Sequence, residues 1–341
     1  MSEKSFIQYV KRLISLVWVL LGVLSLATFI LLGNAIGWFP LEQKVSVAEV
    51  ILPDKKLGIS LMWSAPDTSQ VPNTAKGELI RYGHELVTHT SAYLGPIGSI
   101  RQISNGLNCQ NCHLKAGTVP YGNNYAKVAS TYPKRRNRSG RTEGFAQRVN
   151  GCFERSLNGI PLDTGSREMK AMIAYLKWVG KDVRKGSAQK GFGLIPLIPL
   201  VRAASPEKGK QVYDAYCGRC HGAQGEGKLA ENGYEWTYPP LYGDDSYNTG
   251  AGLYRISKFA AFVKANMPYG VTFENPFLTD EESWDVAAYV NSMARPGKDL
   301  SADWPNIATK PVDHPFGPYA DAFSEEQHKY GPYQPIKAAY R

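Results

Sequence analysis

The sequence predicts a mainly α-helical protein in which two tandem modules of the same design follow an N-terminal transmembrane helix. Three observations support this: one long charge-free apolar run, two short cysteine–histidine motifs, and helical periodicity on both sides of each motif. The chain has 341 residues, a length that predicts two domains at about 100–200 residues each. Apolar residues make up 43% of it, which excludes extensive disorder.

The apolar run covers residues 13–36, about 36 Å of helix, which is enough to cross a bilayer. Lys4, Lys11 and Arg12 precede it, so the positive-inside rule keeps the N-terminus in the cytoplasm and exports the rest. Residues 38–40, Trp-Phe-Pro, fit an interfacial anchor. We therefore predict a single-pass anchor in a bacterial inner membrane with both modules in the periplasm. A cleaved signal peptide is the alternative, although its apolar part usually spans only about 7–15 residues.

The five cysteines form two close pairs and one remainder. Each pair is followed at once by a histidine, in Cys109-Gln110-Asn111-Cys112-His113 and Cys217-Gly218-Arg219-Cys220-His221. This is the attachment motif of c-type haem, in which both thiols form thioethers with the vinyl groups and the histidine binds the haem iron. Two copies behind an export segment predict two covalently bound c-type haems.

Zinc and a redox-active dithiol are the rival interpretations of these motifs. A zinc site needs further Cys or His ligands at suitable spacing, and the remaining histidines are scattered at positions 84, 89, 314 and 328. A dithiol explains neither of the adjacent histidines. Haem attachment accounts for both thiols and the histidine of each motif.

Each motif lies between two segments with helical periodicity. Residues 74–90 and 166–179 enclose the first motif, and residues 206–216 and 279–293 enclose the second. Thr279 and Glu282 form a capping-box pattern at the start of the last segment. An opening helix, the motif, loops and a closing amphipathic helix are typical of cytochrome c domains. The predicted fold is therefore two tandem cytochrome c-type domains, each with one covalent c-type haem.

The predicted boundaries follow from these segments: cytoplasmic tip and anchor 1–40, N-terminal extension 41–73, first cytochrome c domain 74–180, linker 181–205, second domain 206–296, and C-terminal tail 297–341. Within the linker, residues 194–201 are apolar, so we expect them to pack along a domain surface. The tail is rich in proline and aromatic residues and lacks helical periodicity. We expect it to wrap around the surface of the domains.

The sixth iron ligand of the second haem is predicted to be Met267. It lies before the closing helix, in Asn266-Met267-Pro268, whereas Met293 falls inside that helix and is expected in the core. His/Met ligation raises the reduction potential, which suits the release of electrons. The alternative is that Met267 merely fills a gap in the core.

Cys152 is the remaining cysteine, and it follows Cys112 by 40 residues, a place comparable to that of Met267. Met169 and Met172, on the closing helix of the first module, have core spacing. Spacing alone leaves two interpretations of Cys152 open, a buried hydrophobic residue and an iron ligand. A thiolate ligand would bring a nucleophilic sulfur to the iron.

The sequence around Cys152 is strongly cationic. Residues 134–141 carry five positive side chains, Arg148 and Arg155 flank Cys152, and the whole chain has a net charge of +9. A charge run is most often a solvated face. Nucleic acid is a poor partner for an exported haem protein, whereas arginines can pair haem carboxylates or hold a small dianion. A haem, a cysteine and an anion pocket together indicate redox chemistry on an anionic sulfur compound.

These residues make the chain resemble the dihaem cytochrome c thiosulfate dehydrogenases, the tetrathionate-forming family. The likeness extends over roughly residues 74–335, and its most specific block is Arg148-Val149-Asn150-Gly151-Cys152-Phe153-Glu154-Arg155-Ser156-Leu157-Asn158-Gly159. Further matching blocks are residues 104–113, 122–125, 131–133, 138–140, 266–268 and 315–319, together with the second haem motif.

The resemblance implies that the protein couples two thiosulfates oxidatively to tetrathionate. It implies His113 and Cys152 as ligands of the first haem iron, and substrate-pocket roles for the residues Arg138, Arg148 and Ser156. The second haem, with His221 and Met267 as ligands, would relay electrons to a small cytochrome or a membrane-bound oxidase. Some members carry a lysine before this methionine and exchange ligands on reduction; Asn266 occupies that position here, which puts such an exchange in doubt.

Other functions use parts of the same pattern. A dihaem electron-transfer cytochrome without its own substrate would need neither the cationic cluster nor the thiolate, and the same site run in reverse would act as a tetrathionate reductase. A dihaem peroxidase would react with peroxide. A thiosulfate-carrier subunit would use Cys152 as a covalent anchor and would need partner proteins.

Overall fold

The computed structural model describes residues 3–35 and 62–340. Helix α1 spans Glu3–Ala35, and within it Ile7–Phe29 is long and apolar enough to cross a membrane, with a mean hydropathy of 2.0 and no part buried in protein. A signal sequence passes the same test of length and composition. The proposed interfacial residues 38–40, and residues 41–61 of the predicted extension, lie outside the described residues.

The first module begins with an extended segment and consists of seven helices and one small hairpin. Its helices are α2 Ala75–Thr88, α3 Thr90–Leu94, α4 Cys109–Cys112, α5 Leu114–Gly117, α6 Val128–Thr131, α7 Phe145–Phe153 and α8 Arg167–Val179. Strands β1 Lys134–Arg135 and β2 Thr142–Glu143 form an antiparallel pair in which Lys134 faces Glu143. Thr74 and Ser166 cap the opening and closing helices through their side-chain oxygens.

The second module repeats this design with fewer helices. Its elements are α9 Pro206–Tyr216, α10 Gly218–His221, β3 Lys228–Leu229, β4 Trp236–Tyr238, α11 Ile256–Asn266 and α12 Asp280–Ser292. Strands β3 and β4 pair antiparallel. Thr279 Oγ1 accepts from the Glu282 amide at 3.1 Å while Glu282 Oε2 accepts from the Thr279 amide at 2.8 Å, so the predicted capping box is present. Short 3-10 helices lie at Thr68–Gln70, Gly252–Tyr254 and Ile307–Thr309.

The opening and closing helices of each module cross at a glycine. A Cβ atom on Gly83 in α2 would lie 2.0 Å from the Ala171 carbonyl oxygen in α8. In the second module, a Cβ atom on Gly209 in α9 would lie 1.9 Å from the Asp285 carbonyl oxygen in α12. Only glycine permits such a close backbone approach. The same contact in both modules confirms the internal repeat.

Each module has its own hydrophobic core. Met169 and Met172 are almost completely buried in the first core with Tyr175, as their spacing predicts. Tyr213 and Trp284 occupy the centre of the second core. The division into two cores explains why the chain folds as two modules and not as one enlarged domain.

The linker and the tail both contact the second module. Leu197 and Leu200 of the linker pack against its core, and the indole of Trp284 donates to the Ile198 carbonyl at 3.0 Å, while Ile198 itself is exposed.

The sequence of the tail lacks helical periodicity, but the structure contains two short helices there. The tail forms α13 Glu325–Tyr330 and α14 Tyr333–Ala339. These helices span six and seven residues, too few for a periodic pattern, and burial of Tyr333 and Ile336 holds α14 in place.

Polar contacts join the two modules. Asn248 Nδ2 of the second module donates to the Glu154 carbonyl at 2.8 Å and to Asn158 Oδ1 at 3.0 Å. Nδ1 of His89 lies 2.8 Å from Glu235 Oε1. These bonds place the segment that follows α7 directly against the second module.

The helix crossing predicts the effect of a single methyl group. Gly209→Ala forces α9 away from α12, so we expect the second module to lose about 2 kcal/mol, by analogy with overpacked cores. The variant should melt several degrees below the wild-type holoprotein when thermal unfolding is followed by circular dichroism. Gly297→Ala is the control, because a Cβ atom there meets nothing within 4 Å. Equal melting of both variants and the wild type would contradict the crossing.

Candidate active site

A cavity of about 170 Å³ in the first module contains the first cysteine–histidine motif. Cys109, Cys112 and His113 face it, and most of its remaining lining is apolar: Val87, Leu107, Tyr125, Val128, Val149, Phe153, Leu157, Met172 and Leu176. Burial raises the pKa of Cys109 and Cys112 to about 12, so both remain neutral thiols at neutral pH. Two thiols and a histidine on an apolar cavity fit a covalently attached haem.

The imidazole of each motif is oriented by a backbone carbonyl. His113 Nδ1 hydrogen-bonds the Asn123 carbonyl oxygen, and the ring stacks on Tyr125 with centroids 4.5 Å apart. His221 Nδ1 lies 2.8 Å from the Pro239 carbonyl oxygen. Because a carbonyl only accepts, Nδ1 carries the proton in both rings and Nε2 keeps a free lone pair. This is the tautomer that an iron ligand needs.

The residues of the second motif lie where α9 meets α10. Cys217 and Met267 both pack, partly buried, against the core of the second module, and Met267 follows directly after α11. Met293 was expected inside the closing helix, but α12 ends at Ser292 and Met293 is the next residue. Its side chain is partly buried against the same core. Asn266 Nδ2 donates to the Phe262 carbonyl at 2.9 Å and to the Tyr121 carbonyl of the first module at 3.2 Å.

Cys152 lies on α7, one turn after Arg148. The Arg148 Nη1 atom is 3.0 Å from Cys152 Sγ. Burial alone would raise the pKa of this thiol, but the charge of Arg148 and its hydrogen bond outweigh burial, with His113 acting in the same direction, and lower the pKa to about 6. The thiolate in turn raises the pKa of Arg148. Cys152 is therefore a thiolate at neutral pH, unlike the thiols of the first haem motif.

A second cavity, of about 250 Å³, brings the predicted site residues together. Cys152, Arg138, Arg148 and Ser156 all line it, along with Cys112 and His113 of the haem motif. Met267 and the second haem motif do not line it.

Arg138 and Ser156 are among the donors in this cavity that have no partner in the described part of the chain. Within the described residues, the Arg138 guanidinium and Ser156 Oγ make no side-chain hydrogen bond or ion pair. Burial and the nearby Arg155 lower the pKa of Arg138 to about 10, which still leaves it charged at neutral pH.

The cationic run of residues 134–141 divides between the cavity and the surface. Only Arg136 and Arg138 line the cavity, while Arg135 and Arg141 are exposed, so part of the run is a solvated face. The β1–β2 hairpin closes through a 2.8 Å bond from the Arg136 amide to the Arg141 carbonyl. The turn therefore determines which arginine side chains reach the cavity.

The tail and the second module supply cavity residues that the sequence did not indicate. Asp303 accepts two bonds from Arg155, of 2.8 and 2.7 Å, and Trp304 lines the cavity beside it. Arg255 and Lys258, at the start of α11, also line it, and Lys258 further borders a cavity of about 690 Å³ beside the linker. Because these residues lie about 100 to 150 positions from Arg155, no local pattern connects them with Cys152.

Family models match both modules. Residues 100–184 match the "SoxA/TsdA, cytochrome c domain" family and residues 206–294 match the "Cytochrome c" family. Two domains of this kind, together with the cavity and the oriented histidines, define a dihaem c-type cytochrome. The protein thus carries two covalent c-type haems.

The family of this chain is identified by its similarity to known proteins. A thiosulfate dehydrogenase of Psychrobacter arcticus is 36% identical over 71% of this chain and 71% of its own length. The thiosulfate dehydrogenase of Stutzerimonas stutzeri is 34% identical over 78% of this chain and 84% of its own length. The solved thiosulfate dehydrogenase (TsdBA) of Marichromatium purpuratum superposes with a TM-score of 0.63 at 33% identity over 69% of this chain, and this chain spans half of that structure's length. The chain belongs to the thiosulfate dehydrogenase family.

Proposed function

We propose that this protein oxidises two thiosulfates and joins them as tetrathionate in the cavity around Cys152. The observation that carries the proposal is the Cys152 thiolate, held by Arg148 in a cavity that also contains Cys112 and His113 of the first haem motif. The thiosulfate dehydrogenase relatives support thiosulfate as the substrate. The unpartnered cationic donor Arg138 supports an anionic ligand.

Four residues are proposed as ligands of the two irons. His113 and Cys152 would bind the first iron, since the free Nε2 of His113 and the Cys152 thiolate lie on the same cavity. His221 and Met267 would bind the second, since Met267 packs on the same core as the second motif. When bound, each haem supplies an iron centre that accepts one electron, which matches the two electrons that the coupling releases.

Arg138 and Arg148 would bring the two substrates together. Two thiosulfate dianions repel each other, and a buried guanidinium offsets this repulsion while donating to sulfonate oxygens in a fixed direction. Ser156 Oγ would add one further donor. Holding both sulfane sulfurs in contact geometry removes much of the entropic cost of a reaction between two molecules.

Cys152 would also act as a covalent carrier. Its thiolate forms an S–S bond with the sulfane sulfur of one thiosulfate, and two electrons leave in that oxidation. The sulfane sulfur of the second thiosulfate then attacks the sulfane sulfur of this adduct. Tetrathionate forms, the bond to Cys152 breaks, and the thiolate is restored as the leaving group. No proton is gained or lost, and the low pKa of Cys152 favours its departure as an anion.

The electrons would leave the protein through the second module. Asn266, the neighbour of Met267, donates to the Tyr121 carbonyl of the first module at 3.2 Å, so the two modules are in contact beside the proposed ligand of the second iron. A small cytochrome or a membrane-bound oxidase would take up the electrons.

Anchoring in the inner membrane is proposed for α1. Its uncharged segment and the preceding Lys4, Lys11 and Arg12 support an uncleaved helix with the modules in the periplasm. We expect the protein to sediment with membranes and to retain a peptide that contains Lys4 in mass spectrometry. A periplasmic protein that begins after residue 36 would show that the helix is a cleaved signal instead.

Removal of Cys152 tests the proposed chemistry. Cys152→Gly should abolish thiosulfate oxidation, because both the ligand and the covalent carrier are lost. Both haems should remain attached, because the thioether-forming cysteines are unchanged. Haem content by the pyridine haemochrome assay and activity with an artificial acceptor measure these two effects. Activity close to that of the wild type would disprove the role of Cys152.

Removal of the cavity arginines tests substrate binding. Arg138→Ala and Arg148→Ala should each lower kcat/KM for thiosulfate about 10- to 100-fold, the size expected for charge-assisted hydrogen bonds. Arg141→Ala is the matched control, because Arg141 belongs to the same cationic run but is exposed and does not line the cavity. If all three variants lose activity to the same extent, these arginines act only through overall charge.

A further inference from the structure

Trp304 of the tail carries a buried donor without an acceptor. Its side chain lines the cavity that contains Cys152 and Arg138. Its indole Nε1 is buried and has no hydrogen-bond partner in the part of the chain that the structure describes. Buried N–H groups are nearly always paired, so an orphaned one beside a cavity indicates that a ligand supplies the acceptor.

The backbone holds this side chain in place. The Trp304 amide donates to the Arg138 carbonyl at 2.6 Å, which ties Trp304 to the hairpin residue proposed to bind substrate. The next residue, Pro305, packs closely on Gly140. A Cβ atom on Gly140 would lie 2.6 Å from the Pro305 ring. Trp304 itself has φ +61°, a left-handed conformation that is strained for a residue with a side chain. Such strain persists only where the surroundings impose it.

No protein acceptor in the described residues is hydrogen-bonded to Trp304 Nε1. The carboxylate of Asp303 also lines the cavity, but Arg155 occupies both of its oxygens. The His314 ring stands edge-on to Trp304 with centroids 5.8 Å apart. Its Nδ1 lies 3.4 Å from the Phe316 carbonyl oxygen, and neither nitrogen of the ring accepts a hydrogen bond from Trp304 Nε1. The missing acceptor must come from whatever occupies the cavity.

We propose that Trp304 is a substrate-binding residue whose indole N–H donates to a sulfonate oxygen of thiosulfate held by Arg138. This inference rests on the proposed function and adds to it a residue from outside both cytochrome c modules. A sulfonate offers three acceptor oxygens, so it accepts from Arg138 and Trp304 together. The neutral indole N–H orients the sulfonate without adding a charge to the cavity.

The chain provides a matched control for the indole N–H. Trp178 on α8 also has a buried Nε1 without a partner in the described residues, but it belongs to the core of the first module and lines neither cavity around Cys152. Trp304→Phe and Trp178→Phe therefore remove the same chemical group. Only the first removal affects the proposed ligand contact.

Two measurements on the holoprotein separate binding from turnover. Calorimetry gives the Kd for thiosulfate in the Cys152→Ser background, where no turnover occurs, and steady-state assays give KM and kcat with Cys152 present. For W304F we expect Kd and KM to rise about tenfold, with both haems and their absorption spectra retained. For W178F we expect unchanged values of both. If W304F fails to fold, 3-benzothienylalanine at position 304 removes the N–H while keeping the ring size.

An unchanged Kd and KM in W304F would overturn the inference. A shifted reduction potential of the first haem with unchanged KM would also overturn it, because the indole then bonds a haem carboxylate instead of substrate. A different result would reject the proposed function alone. The wild type would then not oxidise thiosulfate, although W304F would still weaken binding of the anion in the Cys152→Ser protein.

Discussion

The site depends on one contact, the 3.0 Å approach of the Arg148 guanidinium to Cys152 Sγ. Both groups are partly buried, and burial disfavours the charged form of each, so each charge depends on the other. Paired, they keep Cys152 as a thiolate with a pKa of about 6, whereas burial raises the pKa of Cys109 and Cys112, before they form thioethers, to about 12. The structure thereby separates two cysteines for attachment from one for chemistry within a single cavity.

The surroundings of this pair come from distant parts of the chain. Helix α7 carries both charged groups, the β1–β2 hairpin presents Arg138, and the tail places Asp303 and Trp304 against it. The second module contributes α11 and, through Asn248, holds the segment after α7. A single cytochrome c module would leave the cavity open on this side. The second module is thus part of the pocket as well as the site of the second haem.

The sequence predicted those features that depend on residues close together in the chain. Both haem motifs, the four helices around them and the Thr279–Glu282 capping box are local patterns, and the structure has them. Cys152 and Arg148 are also local, being one helical turn apart, although spacing alone left the role of Cys152 open. The short tail helices were not predicted, because six and seven residues are too few for a periodic pattern. The contacts of Asp303 and Trp304 were not predicted either, because their partners lie more than 140 positions away.

The central claim is that two thiosulfates are joined with the release of two electrons, and the stoichiometry of the reaction tests it most directly. Purified holoprotein is given thiosulfate and a one-electron artificial acceptor, and the sulfur product is identified while acceptor reduction is counted. One tetrathionate should form for every two thiosulfates consumed, with two acceptors reduced. Sulfite or sulfate as the product, or no thiosulfate-dependent reduction at all, would contradict the claim.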